Sequence, residues 1–318
     1  MLCVNNHPNV DDGRRYCSQC GAYLAVTPGN FHNDLLQLSP ERFLQCVSEG
    51  LLLIHANVVE LWGEAQEIAR LGNRRAVGIL QLFAEEEAAK ALMLFDAVRC
   101  PQNFKVQFEA LVKGFNDHLA KGIYVKYYGA RLVDLNEART IVNQERQRVY
   151  REGEYGEFIA PNSILYMREK RLYVSYVRHD DNNHAWSTPY PRELLFGDIV
   201  PSAIIPVVSG LCHIGLFPGE GLRVVREYWN QIHLQDPVSG DPPETDPAKN
   251  VHWGQARRWN IEMLNKWQER RRRAFENEAD VTNANLIVGE LLFPLYPFEL
   301  TPTGNVRDLH PPDEPDWW

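Results

Sequence analysis

The sequence predicts a mainly helical protein: an antiparallel helical bundle with a small β or extended insert, a cysteine-rich segment before it and a helical extension after it. Three observations carry this. Apolar residues recur at helical spacing through the stretches between residues 40 and 122. The connections between those stretches are short, which leads long amphipathic helices to pack antiparallel. Three of the six cysteines crowd into the first twenty residues. The 318 residues are 44% hydrophobic and 24% charged, a globular composition with ample core. A net charge of −9 argues against non-specific nucleic-acid binding by the whole surface, while leaving room for a local basic patch. The start, MLCVNNHPN, lacks the basic and apolar regions of a signal peptide. Six cysteines in a chain of this size do not make a disulfide framework, so the expected location is the cytoplasm. The apolar run 199–217 carries Pro201, Pro206 and His213, and reads as buried core rather than a membrane span. No membrane partner is expected.

Residues 1–25 contain Cys3, His7, Cys17 and Cys20 in a C-x3-H-x9-C-x2-C spacing, with Gly21 directly after. Two thiolates of a C-x2-C step can face one metal across a tight turn, and the glycine lets the backbone fold under them. Three thiolates and one imidazole complete a closed tetrahedron, which is structural Zn2+ chemistry with no open position for catalysis. So short a stretch has no core, and the metal would supply its folding energy. The stretch resembles the short zinc ribbons at the ends of many bacterial proteins, with Asn6 in place of the usual glycine and Tyr16 in place of the usual phenylalanine. Cys46, Cys100 and Cys212 fall in apolar surroundings and read as small core residues.

Residues 26–39 form a connector. Ser39 then suits a helix N-cap, and Pro40 the first helical position. Phe43, Val47, Ile54, Val58, Leu61, Ala65 and Ile68 follow at helical spacing, and Gly72-Asn73 is a stop. Further helices are expected over 74–98, 103–122 and 131–152. The stretch 164–179, ILYMREKRLYVSYVRH, is rich in Tyr and Val and reads as extended or hairpin. Helix is expected again over 219–233. Residues 236–250 are a linker by composition, and 251–318 a helical extension with a loose tail; its last helix is expected over 252–279.

The sequence of the second long helix is unusual: ILQLFAEEEAAKALMLF puts four charges in an apolar setting. At 3.6 residues per turn, Glu87 falls in the stripe Leu80, Ala84, Ala91, Leu94, and Glu86 in the stripe Ile79, Phe83, Lys90, Met93. Only Glu85 falls on a face that could be wet. Buried carboxylates need partners. Lys90, one turn beyond Glu86, is one; Arg74, Arg75, His118 and Lys121 are candidates for the rest. The bland reading is a buried polar network that fixes helix register, the functional one a site for catalysis or RNA contact.

The run NRRAVGILQLFAEEEAAKALML, with Glu86, Glu87 and Lys90, resembles the second helix of AbiV-type HEPN domains, a bacterial abortive-infection family. His118 and Lys121 in FNDHLAKG resemble that family's next motif. REKRLYVSY, with Glu169, Lys170, Tyr173 and Val174, matches a third loosely. The resemblance covers residues 40–235 and omits the cysteine-rich start and the chain after the linker. It implies a HEPN bundle, a homodimer and a role in defence against phage. Because no catalytic constellation rises above chance, the expected function is an effector that arrests growth or translation by binding a phage protein, RNA or the translation machinery. The alternative that the resemblance raises is a metal-independent ribonuclease using an R-x4-6-H motif, with His as acid or base and Arg holding phosphate. Two matches exist, Arg178…His184 and Arg226…His233, and with 25 Arg and 10 His about two arise by chance. The second is the better catalytic candidate, because its helix would place both residues on one face. Arg270, Arg271, Arg272 and Arg273 make a basic run that is either a solvated face or a nucleic-acid contact.

Overall fold

The structure is a computed structural model that describes residues 31–101, 104–130, 135–152, 158–160, 162–178, 184–189, 201–232, 255–270 and 290–301. The expected zinc ligands Cys3, His7, Cys17 and Cys20 lie outside the described residues, as do His233, Arg271, Arg272, Arg273 and the linker. The chain divides into two compact units, 1–43 and 44–318. The described part of the first comprises helix α1 (Phe31–Gln37) and the start of α2 (Pro40–Arg70).

The second unit is a helical bundle. After α2 come α3 (Arg74–Arg99), α4 (Lys105–Gly114), α5 (His118–Gly129) and α6 (Leu135–Gln147). Strands β1 (Tyr150–Glu152) and β2 (Phe158–Ala160) pair antiparallel. Helix α7 (Ser163–Leu172) leads into a second antiparallel hairpin, β3 (Ser175–Arg178) with β4 (His184–Ser187). Helices α8 (Ile204–His213), α9 (Gly219–Trp229) and α10 (Gln255–Arg270) follow.

α3 is the central helix and touches α4, α5, α7, α8 and α9. Asn73 caps its start, accepting from Ala76 N. From Ala88 to Cys100 every residue but Lys90 is buried, so no face is left for solvent. Alanines at 84, 88, 89 and 91, all fully buried, let its neighbours approach closely. The apolar run 199–217 does form core: Ile204, Ile205, Val208 and Leu211 of α8 are buried. Among the described residues one helix, α2, is long and apolar enough to cross a membrane by length and composition. It buries Val47, Leu51, Val58 and Ala65 and exposes Leu52, Leu53 and Val59.

Several expectations need correction. The helix expected over 103–122 is two helices, because Asp117 accepts from Leu119 N and Ala120 N and starts α5 afresh. The helix expected over 131–152 stops at Gln147, and its last residues are strand β1. The stretch 164–172 is helix, not extended chain: Asn162 accepts from Ile164 N and Leu165 N, a cap that outweighs the β preference of Tyr and Val. Cys46 is exposed and Cys212 half-buried, while Cys100 is buried. Burial pushes the Cys100 thiol up to about 12, with the Asp96 charge adding to it.

Residues 290–301 belong to the same compact unit as the bundle, although the sequence sets them apart as an extension. Leu291, Phe293, Leu295 and Tyr296 are buried. Asp96 and Arg99, both fully buried, form an ion pair beneath them. Asp96 Oδ2 accepts from Tyr124 Oη at 2.7 Å and Leu295 N at 2.8 Å. Arg99 Nη1 donates to Leu292 O at 2.8 Å, and Tyr127 Oη to Phe293 O at 3.1 Å. Burial raises the Asp96 carboxyl, against the pull of Arg99, Tyr124 and the Leu295 amide. The guanidinium of Arg99 also lies over the rings of Trp229 and Phe95. The backbone of the C-terminal segment is thus bonded by side chains of α3 and α5.

Candidate functional site

The three consecutive glutamates of α3 have three different surroundings. Glu85 is buried and accepts from Gln81 Nε2 at 3.0 Å, so the face expected to be wet is interior. Glu87, half-buried, pairs with Lys90, which also lies 5.8 Å from the Phe115 ring centre. Lys90 therefore serves Glu87 and not Glu86, the partner that the sequence predicts for it. The least buried side of the helix, with Phe83, Glu87 and Lys90, lies nearly opposite the side at Glu85 that the apolar stripes leave for solvent.

Glu86 is the centre of the site. Its carboxylate, 10% exposed, receives Arg168 Nε at 2.8 Å and Lys121 Nζ at 3.2 Å. Both oxygens also lie within reach of His118 Nδ1, at 3.0 and 3.1 Å. An ionised carboxylate only accepts, so His118 Nδ1 carries the proton and Nε2 is the ring's basic nitrogen. Desolvation pushes the Glu86 carboxyl up. The Arg168 hydrogen bond and the charges of Lys121, Arg168 and His118 outweigh that and hold it below the ordinary range.

Each partner is placed by a local feature. His118 and Lys121 stand one turn apart at the start of α5, whose position the Asp117 cap fixes. Arg168 sits in the middle of α7, one turn and a half after the Asn162 cap. α5 and α7 approach so closely that a Cβ on Gly122 would lie 2.2 Å from Ile164 Cγ2. Arg168 is further held by Glu169 at 2.9 Å. Lys121 is buried, whereas the His118 side chain is 41% exposed, which makes it the member of the cluster that solvent and a ligand can reach. Four groups that serve proton transfer and anion stabilisation thus converge on one partly open point.

Of the expected site residues, Glu86, His118 and Lys121 are brought together, and Glu87 with Lys90 forms a separate pair beside them. Arg74 and Arg75 are exposed at the start of α3. Arg168 was missed because its segment read as extended; the Pro-Asn-Ser at 161–163 is the capping signal that could have found it. Arg226 lies in the last turn of α9, which ends at Trp229 with Asn230 as its cap, and His233 lies outside the described residues. On α10, Arg270 pairs with Glu227, Arg258 with Glu262 at 2.9 Å, and Lys266 lies over the Tyr228 ring. Among the described residues no group of three or more His, Cys, Asp and Glu is placed to hold a metal ion. No family model matches the chain, and neither a curated protein nor a solved structure matches it.

Proposed function

We propose that the chain is a cytoplasmic anti-phage effector of the AbiV-like HEPN kind, which arrests growth or translation through its helical bundle and acts as a homodimer without a membrane partner. Of the partners expected from the sequence, RNA is the one the site favours. The observation that supports this is the cluster at Glu86, where a half-exposed His118 stands beside Lys121 and Arg168, Arg168 being paired with Glu169 as well. A reachable histidine next to fixed cations is a combination that phosphate-ester chemistry uses. A second reading, metal-independent RNA cleavage, draws support from the orientation of His118. Its Nδ1 is fixed by Glu86, so Nε2 is free to take and return a proton while Arg168 and Lys121 stabilise charge on phosphate. Zn2+ has a structural part in this proposal, held by Cys3, His7, Cys17 and Cys20, whose donor set suits a closed tetrahedral site.

The experiment is total-RNA integrity in cells after induced expression, with His118→Ala at matched soluble level. Discrete RNA fragments that vanish in His118→Ala make the chain a ribonuclease. Growth arrest with intact RNA makes it a binding effector. Arrest that persists undiminished in His118→Ala removes the cluster from either account.

A further inference from the structure

Helix α2 is apolar but largely unburied. Among the described residues it is the one helix long and apolar enough to cross a membrane, yet 22% of that apolar stretch is buried. It rests on the bundle through Val47, Leu51, Val58 and Ala65, with His55 edge-on to the Phe217 ring at 6.3 Å. The far side carries a stripe whose spacing alternates between three and four residues: Glu49, Leu52, Ala56, Val59, Gly63 and Gln66. Arg70 continues it. Leu52 is 42% and Val59 51% exposed, Ala56 is exposed, and a Cβ on Gly63 would meet nothing within 4 Å. An open 3-4 alternation with four uncharged residues at its centre is the seam of a helix pair, and this seam lacks its second helix.

The order of sizes and charges says which helix fits. Reversed and laid on itself about a point between Asn57 and Val58, the stripe sets Leu52 against Gly63, Ala56 against Val59 and Glu49 against Gln66. Each apolar layer then holds one large and one small residue, so the helices can interdigitate. Arg70 comes about 6 Å along the axis from Glu49 of the second copy, at both ends of the seam. Two copies running in the same direction would instead set Glu49 against Glu49 and Arg70 against Arg70, and leave Gly63 facing Gly63. The remaining charges are acidic. Glu67, which also comes near Glu49 of the second copy, is already paired with Arg70 of its own helix. Glu64 lies outside the stripe. Glu60 flanks it beside Leu53, about 7.5 Å along the axis from its counterpart, where repulsion between hydrated carboxylates is weak. A lipid surface fits less well: the apolar part of the seam spans about 17 Å and is bordered by glutamates, whereas interfacial helices are bordered by Lys and Arg.

We propose that this face of α2 is the homodimer interface, formed by two copies that pack their α2 helices antiparallel about a two-fold axis near Asn57 and Val58. This rests on the homodimer of the proposed function and names the surface that forms it. The contact is isologous, so each layer occurs twice and a single substitution acts on both.

The test is sedimentation velocity of the full chain at micromolar concentrations, native and Gly63→Leu. The native chain should sediment as a dimer. Gly63→Leu should weaken that dimer at least about tenfold, because the added side chain overfills the layer with Leu52. The fold should not suffer, since the side chain starts in open space and Leu is the better helix former. Adding Leu52→Ala to Gly63→Leu restores one large and one small residue to the layer and should recover most of the affinity. An apolar patch that merely adhered to lipid would gain from the extra Leu, so the loss reports close helix pairing. A native dimer that Gly63→Leu leaves unchanged refutes this interface while the homodimer reading stands. A native chain that stays monomeric removes both. Failure of the double variant to recover refutes the antiparallel layers.

Discussion

Replacing Glu86 by Gln isolates the role of the central carboxylate. The change keeps the shape and one acceptor oxygen but removes the charge that Lys121, Arg168 and His118 share. His118, at 41% exposure, can turn to water, and Arg168 keeps Glu169. Lys121 cannot adjust so easily: its side chain is 5% exposed, and it is ion-paired with Glu86. Breaking a buried pair from one side costs about 3–5 kcal/mol, and the low end applies here because a Gln oxygen still accepts. For a unit of this size that is a fall in melting temperature of roughly 6 °C. The assay is thermal melting at pH 7 of Glu86→Gln and of Glu86→Gln with Lys121→Met. The double variant removes the orphaned ammonium and should recover most of the loss. The pH dependence has a definite sign. The folded carboxyl is held below its ordinary value, so its stabilisation is present above the unfolded value of about 4.5 and is lost as pH falls through the folded value. The gap between native and Glu86→Gln should therefore narrow as pH falls below about 4.5 and close once it has passed the folded value. A Glu86→Gln protein that melts within a degree of native at pH 7, or a double variant worse than the single, would refute the reasoning.

Three other outcomes are expected. Asp96→Asn leaves Arg99 as a buried charge without its ion-pair partner and should cost about 3–5 kcal/mol, read as a lower melting temperature. Tyr127→Phe removes only the bond to Phe293 O and should cost about 1 kcal/mol, with faster hydrogen exchange confined to residues 290–301. Gly221→Ala should be the more damaging small change elsewhere. Its Cβ would stand 2.4 Å from Gly215 O and 2.7 Å from Leu216 Cα, backbone that must move, so soluble yield and melting temperature should both drop.

Much of the bundle could be read in advance, because α2 and α3 carry apolar residues at helical spacing and end at marked stops. Glu86, His118 and Lys121 were visible for a related reason: carboxylates among apolar stripes demand partners, and a His and a Lys one turn apart on the next amphipathic stretch can provide them. What could not be read was rotation and distance. A helix buried on every side, as α3 is beyond Ala88, has no polar face to fix its phase, so the roles of Glu85 and Glu87 came out exchanged. Arg168 was hidden because Tyr and Val favour strands locally, whereas one Asn cap and packing on α3 and α5 decide for helix. The bonds from Asp96 and Arg99 to Leu295 and Leu292 span nearly two hundred residues, and no local pattern announces a partnership of that length.

The central claim is that the point where Glu86 gathers His118, Lys121 and Arg168 is where the chain acts. The most direct test is growth after induced expression of the native chain and of His118→Ala, at matched soluble amounts and with matched melting temperatures. His118 is the most exposed member of the cluster, so its loss should leave the fold intact and abolish the arrest. Arrest by His118→Ala equal to that of the native chain would show that the cluster only holds the helices together, and that the activity lies elsewhere in the chain.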